Sequence, residues 1–243
     1  MSDNRVAVVL GVGAAQGLGA TVATRFAREG YIAVVAGRTG NNLDIVVRQI
    51  QQQGGTAHAV ITDAASEEQV TALLTSAEQF GPVEAAIYNA GGNNPNSSLK
   101  TSGQFFEEQW RVGTYGGFIF AREAVKAMLP RELGTLLFTG ASASLRGRPN
   151  FVAFAAAKAG LRAVSQAFAR EFGPKGIHVA HVVIDGAIDG HRINTLVPQL
   201  AQMKGEDGLL DLEAIAESYW QLHLQHRSAW SQEIDLRPFK EPF

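Results

Sequence analysis

Short apolar runs alternate with longer amphipathic stretches along almost the whole chain, and this alternation constrains the fold more than any other feature. The predicted strands are Val6–Leu10, Tyr31–Ala36, Thr56–Ile61, Val83–Tyr88, Gly134–Thr139, His178–Ile184 and a short last one, Glu233–Leu236. The predicted helices are Leu18–Glu29, Leu43–Gln53, Ser66–Phe80, Phe105–Leu129 and Phe151–Phe172. Several strands are nearly continuous Val, Ile, Ala or Leu, the composition of strands covered on both faces. Strands joined through helices run parallel, because a parallel neighbour needs a crossover. The pattern therefore predicts an α/β fold: one domain over 1–243 built on a doubly wound parallel sheet of about seven strands, flanked by helices. Glycines after the helices agree, at Gly30, Gly54-Gly55, Gly81-Pro82 and Gly173-Pro174. From about His191 to Arg227 the alternation breaks, which predicts an inserted helical pair before the last strand, near the crevice where such sheets take ligands.

Composition removes several function classes. At 243 residues the chain can bury roughly three quarters of its unfolded surface without a covalent staple. It has no cysteine, which excludes a disulfide scaffold, a zinc ribbon, a thiol nucleophile and an iron–sulfur site. Lys and Arg sum to 21 against 23 Asp and Glu, so the basic footprint of a nucleic-acid binder is missing. Met1-Ser2-Asp3-Asn4-Arg5 runs straight into Val6–Leu10 without the pattern of a signal peptide. No apolar stretch nears the ~20 residues needed to span a bilayer. The expectation is a soluble, cytoplasmic protein acting on a small molecule, with neither nucleic acid nor membrane as partner.

The sharpest motif joins the first strand to the first helix: Gly13-Ala14-Ala15-Gln16-Gly17-Leu18-Gly19. Glycines here let backbone amides approach a pyrophosphate at a helix N-terminus. The spacing is G-x-x-x-G-x-G; the commoner G-x-G-x-x-G fails, because starting it at Gly11 puts Gln16 at the last glycine. Between a buried strand and a helix, the motif predicts a dinucleotide site. The second strand ends Gly37-Arg38-Thr39, with no acid to accept from ribose hydroxyls. Arg38 instead offers a guanidinium that can grip a 2′-phosphate. NADP is the expected cofactor and NAD the alternative.

That spacing, with Asn89-Ala90-Gly91 after the fourth strand and Lys158 on the fifth predicted helix, resembles the short-chain dehydrogenase/reductase family from end to end. The resemblance implies a Rossmann-like domain binding a nicotinamide dinucleotide. It implies cofactor contacts at Gly13, Gln16, Gly17, Leu18, Gly19, Arg38, Asp63 (near adenine), Asn89, Ala90, Gly91, Lys158 and Gly186. It also implies a homodimer or homotetramer joined by the two long helices. Typical members carry Tyr-x-x-x-Lys on one helical face, an upstream Ser and an Asn on the preceding long helix. Here Lys158 is present, but Phe154, Ala141 and Gly113 stand at the Tyr, Ser and Asn positions. Val12 replaces a usual Thr, Asp185-Gly186 the usual Pro-Gly pair, and Gly190 another Thr. The set resembles an atypical subgroup with Phe in place of the tyrosine.

Phenylalanine has no proton to give, and general acid catalysis is typically worth about 10²–10⁴-fold. Candidates to join Lys158 in catalysis are Ser142 in the serine loop, Tyr115 on the preceding helix, and Asp185 and His191 at the carboxyl edge of the sheet. His223 and His226 lie three apart on a helix, but with no acid beside them packing is the favoured reading, and no metal site is expected. Three readings remain: an NADP-dependent oxidoreductase on an unidentified carbonyl or alcohol, a non-catalytic NADP(H) sensor, or a structural role through assembly.

Overall fold

The computed structural model describes residues 4–241; the Met1-Ser2-Asp3 stretch read above for a leader lies outside them. In chain order the elements are β1 Val6–Leu10, α1 Leu18–Arg28, β2 Ile32–Gly37, α2 Gly40–Gln52, β3 Thr56–Ile61, α3 Glu67–Glu78 and β4 Val83–Tyr88. They continue as α4 Gly103–Trp110, α5 Gly116–Met128, β5 Gly134–Thr139, α6 Val152–Phe172, β6 Ile177–Ile184, α7 His191–Leu196, α8 Leu200–Lys204, α9 Leu212–Leu224 and β7 Glu233–Leu236. The seven strands form one parallel sheet in the order β3-β2-β1-β4-β5-β6-β7. The expected Rossmann-like sheet is present. Strand limits differ from the sequence reading only at β2 and β6, by one residue.

Alternation along the strands divides the core. Ala7 and Val9 of β1 face a layer that holds Phe26 of α1, Leu43 and Ile50 of α2, and Tyr219 and Trp220 of α9. Val6, Val8 and Leu10 face the other layer, with Leu73 of α3, Phe120 of α5 and Leu161 of α6. Successive side chains of a strand point to opposite faces, so a strand buried on both must be apolar at every position. No helix of the described residues is long and apolar enough to cross a membrane.

Two helical expectations are corrected. The single helix over Phe105–Leu129 is instead α4 and α5 joined by a π-helical turn, Arg111–Tyr115. The wide turn frees a carbonyl, and Tyr88 Oη donates to the Val112 oxygen from the sheet below. The segment 191–227 holds three helices, not a pair. Its longest, α9, is a core layer against α1 and the sheet, with Ile215, Tyr219 and Leu222 buried.

The strand order reverses between β1 and β4, which opens a crevice at their carboxyl ends. The glycine turn after β1 and Asn89-Ala90-Gly91 after β4 flank that crevice. Asn89 Nδ2 donates to the Gly11 carbonyl at 2.9 Å and ties the two loops together.

Candidate active site

Two cavities lie end to end along the crevice and share Asn89, Gly91 and Gly92 as walls. The first, about 530 Å³, is lined by Gly13, Arg38, Asp63, Asn89, Ala90 and Gly91 among others. Asp63 Oδ1 accepts the Ala65 N–H at 2.9 Å, so this acid also holds its own turn. The second, about 400 Å³, is lined by Gln16, Gly17, Leu18, Asn89, Gly91, Ser142, Phe154, Lys158, Gly186 and His191. Gly19 lines neither: on α1, a side chain there would come within 2.9 Å of the Gly11 carbonyl oxygen.

The arrangement suits an elongated ligand with a diphosphate at its middle. Helix α1 has no side-chain cap at Gly17 and no acid in its first turn, so no side chain competes with an anion for its first amides. The Arg38 end offers a cation for one half of such a ligand, and Lys158 with Gly186 walls the other. A nicotinamide dinucleotide fits this residue set.

Lys158 is the chemical centre of the second cavity. It is buried on α6, and Nζ donates to the Thr139 carbonyl oxygen at the end of β5, 2.6 Å away. Burial pulls its pKa down to about 8, because desolvation penalises the ammonium. The Phe154 ring, one turn earlier on α6, has its centroid 6.0 Å from Nζ. On the opposite side stands Gly91. A side chain there would meet Nζ at 3.3 Å, so glycine leaves the amine open to the cavity.

The remaining catalytic candidates divide. Ser142 and His191 line the second cavity, and the His191 N–H donates to the Gln16 carbonyl at 2.7 Å. Asp185 lines neither cavity. It is buried, with Oδ2 2.9 Å from Arg146 Nη2 and 3.1 Å from Arg237 Nη2. Both carboxylate oxygens are taken up by guanidinium groups away from the two cavities, so Asp185 does not face the chemistry. Tyr115 is turned outward: its hydroxyl donates to Glu67 at 3.2 Å and its ring stacks near Trp110. The geometry takes both residues out of the site. His223 and His226 diverge, as the packing reading expects. His223 bonds Tyr31 Oη and Thr135 Oγ1, and His226 bonds Ser228. Among the described residues no group of His, Asp or Glu gathers to hold a metal.

Gly113 has its own structural reason. A Cβ there would stand 2.6 Å from the Ala157 Cβ, where the π-turn presses on α6. Thr114 Oγ1 seals the same contact by donating to the Ala157 carbonyl at 2.9 Å.

Sequence reasoning missed a buried relay behind the serine loop. Ser144 Oγ accepts the Ala141 N–H at 3.1 Å and lies 3.2 Å from His181 Nε2, while His181 Nδ1 lies 3.0 Å from Glu233 Oε2. Burial drives the His181 pKa down to about 4, so the ring is neutral. Carboxylate oxygens only accept, so Nδ1 carries the proton and Ser144 donates its own to Nε2. Glu233 is held in turn by Arg162, whose Nε and Nη2 donate to its two oxygens at 2.6 and 2.7 Å. The available signal was the two histidines, His178 and His181, inside the otherwise apolar strand β6.

The geometry has clear relatives. Residues 6–195 match the family model described as short chain dehydrogenase. A solved short-chain dehydrogenase from Rhodopseudomonas palustris is 38% identical, with 98% of this chain and 99% of that one covered at a TM-score of 0.83. The 3beta-hydroxysteroid dehydrogenase 1 of Eggerthella lenta is 30% identical over 190 residues, 77% of this chain and 72% of that protein. An actinorhodin polyketide ketoreductase solved with NADPH has the same fold at a TM-score of 0.88 and 20% identity, covering 100% of this chain and 99% of that one. The sheet order, the crevice and the family match agree: the chain belongs to the short chain dehydrogenase family.

Proposed function

We propose that the chain is an NADP(H)-dependent oxidoreductase acting on a carbonyl or alcohol substrate, with Lys158 taking over the proton transfer that Phe154 cannot perform. It would belong to a subgroup of the family with phenylalanine at the tyrosine position. The observation that carries this reading is the buried Lys158 ammonium, pulled toward neutral pH and left open to the cavity by Gly91. A typical lysine, with pKa near 10.4, is too weak an acid to pass a proton readily near neutral pH. One pulled down to about 8 is matched far better to that task.

The bound nicotinamide would supply the hydride, which is the cofactor's own chemistry. Arg38 would hold the 2′-phosphate and the α1 amides the diphosphate. Thr139 holds the Lys158 amine through its carbonyl, and Ser142 would orient the substrate oxygen. The Ser144–His181–Glu233 relay keeps the loop that carries Ser142 in place. His191 and Arg192 close the outer wall. Assembly as a homo-oligomer through α5 and α6 is part of the same proposal, supported by Phe118, 39% exposed and packed edge-on against Phe168.

The absence of a hydroxyl at Phe154 favours one competing reading, a sensor that binds NADP(H) without turnover. Fluorescence titration with NADPH and NADH, then a carbonyl panel followed at the nicotinamide absorbance, separates the two. The oxidoreductase reading expects NADPH preference and turnover that is lost in Lys158→Met. Tight binding without turnover across the panel supports the sensor.

A further inference from the structure

A third cavity, about 100 Å³, adjoins the second and shares Asn93, Ser142 and Phe154 with it. Its remaining walls are Ala143, Arg146, Arg148 and Phe151. The linings of these two cavities together contain Lys158, Arg192, Arg146 and Arg148, and neither contains an Asp or a Glu. Acids outnumber bases in the chain, 23 to 21, so such a wall is a local concentration of positive charge.

Three of the four cations already have a partner. Lys158 donates to Thr139, and Arg192 Nη2 donates to the Asn93 carbonyl at 2.5 Å and to Asn94 Oδ1 at 3.0 Å. Arg146 Nη2 reaches both Asp185 oxygens, at 2.9 and 3.2 Å. Arg148 has no ion pair among the described residues. Its backbone is nevertheless held. The Phe151 N–H donates to the Arg148 carbonyl at 3.2 Å, Asn150 adopts φ 68°, and the Asn150 carbonyl accepts the Asn96 N–H at 2.7 Å. The phosphates assigned to Arg38 and the α1 amides do not account for this wall, since none of Arg38, Gln16, Gly17 and Leu18 lines the small cavity.

We infer that the substrate is a carbonyl compound with an anionic group, carboxylate or phosphate, which Arg148 receives in the small cavity while the carbonyl lies beside Ser142 and Lys158. The inference rests on the oxidoreductase reading above. A cationic substrate, such as an iminium that needs no proton donor, would enter against the charges of Lys158, Arg192 and Arg148, Arg146 being neutralised by Asp185. A neutral one would gain nothing from the exposed guanidinium of Arg148 on the cavity wall. An anion meets a planar donor fork suited to carboxylate or phosphate oxygens.

The test uses the full chain with and without bound NADP⁺. Its probes are a chain-length series of oxo carboxylic acids, the methyl ester of each, and matching oxo phosphates. Binding is measured by calorimetry and reduction with NADPH by absorbance. The acids or the phosphates should bind at least about tenfold more tightly than the esters. Added salt should erode that preference. Arg148→Gln should bring acids and esters to parity, Arg148→Lys should retain part of the preference, and both variants should bind NADPH like the parent. Whether carboxylate or phosphate binds better identifies the source of the charge. Esters binding as well as acids, a preference that survives Arg148→Gln, or no binding by any acid or phosphate overturns the inference. Failure of NADPH to bind sinks the oxidoreductase reading instead, and the probes bound to the cofactor-free chain still decide the anion site.

Discussion

The Lys158 amine and the Thr139 carbonyl oxygen stand 2.6 Å apart, both buried, where α6 crosses the end of β5. The bond holds an ammonium in a place that penalises its charge. It does so without a carboxylate partner, so the pKa falls. A site of this kind trades stability for a reactive amine.

Lys158→Met should therefore stabilise the cofactor-free protein while removing activity. Folding takes the amine from its ordinary pKa of 10.5 down to about 8. Below pH 8 both folded and unfolded chains carry the proton and the folded one bears the full penalty. Between pH 8 and 10.5 the unfolded chain binds more protons, so wild-type stability rises with pH across that window. The shift corresponds to about 3 kcal/mol and the lost Thr139 bond to about 1, leaving a gain of about 2 kcal/mol for methionine at pH 7. Urea unfolding at pH 7 and pH 10 checks this. A gain that does not shrink at the higher pH contradicts the assignment.

Phe154→Tyr puts a phenol beside the Lys158 amine. Turnover of simple ketones should increase by about tenfold to a hundredfold, with NADPH affinity unchanged. A protein that only senses its cofactor gains nothing from the same change, and steady-state kinetics on one ketone distinguish them.

Arg38→Ala should weaken NADPH binding by about tenfold to a hundredfold and leave NADH binding nearly unchanged, because only the phosphate contact is lost. Titration with the two cofactors reads the ratio directly. An unaltered preference removes the argument for NADP.

One buried and one half-buried histidine make the fold sensitive to acid. Desolvation holds His181 and His223 at pKa values of about 4, against 6.5 when exposed. The unfolded chain binds more protons between pH 6.5 and 4, so stability is lost as pH falls through that window. Thermal melts at pH 7 and pH 5 should differ, and His181→Gln should reduce the difference. Equal melting temperatures at both pH values would show that the rings are not held neutral.

The sheet was legible because strands buried on both faces admit few residues other than Val, Ile, Leu and Ala. The glycine turn was legible because its spacing is a requirement of backbone approach. The π-helical turn within the long helix was not. It depends on Tyr88 reaching up from β4 to the Val112 carbonyl, a contact 24 residues apart in the chain. Tyr115 and Asp185 were placed near the chemistry by chain position alone. Chain position says nothing of the Tyr115 hydroxyl donating to Glu67, or of the two guanidinium groups around Asp185, that direct them elsewhere. The Ser144–His181–Glu233 relay joins three separate elements, so no local spacing marks it. The loss of a side chain at Gly113 reads as a missing catalytic group in sequence and as helix packing in the fold.

The most direct test of the account is the pH dependence of NADPH-driven carbonyl reduction in the wild type and in Lys158→Met, under saturating substrate. If Lys158 donates the proton, the wild-type rate should hold at neutral pH and decline as pH rises through about 8, where the amine loses that proton. The variant should show little activity and no such decline. A wild-type profile that stays flat through pH 8, or a variant that turns over like the parent, would contradict Lys158 as the acid of this site.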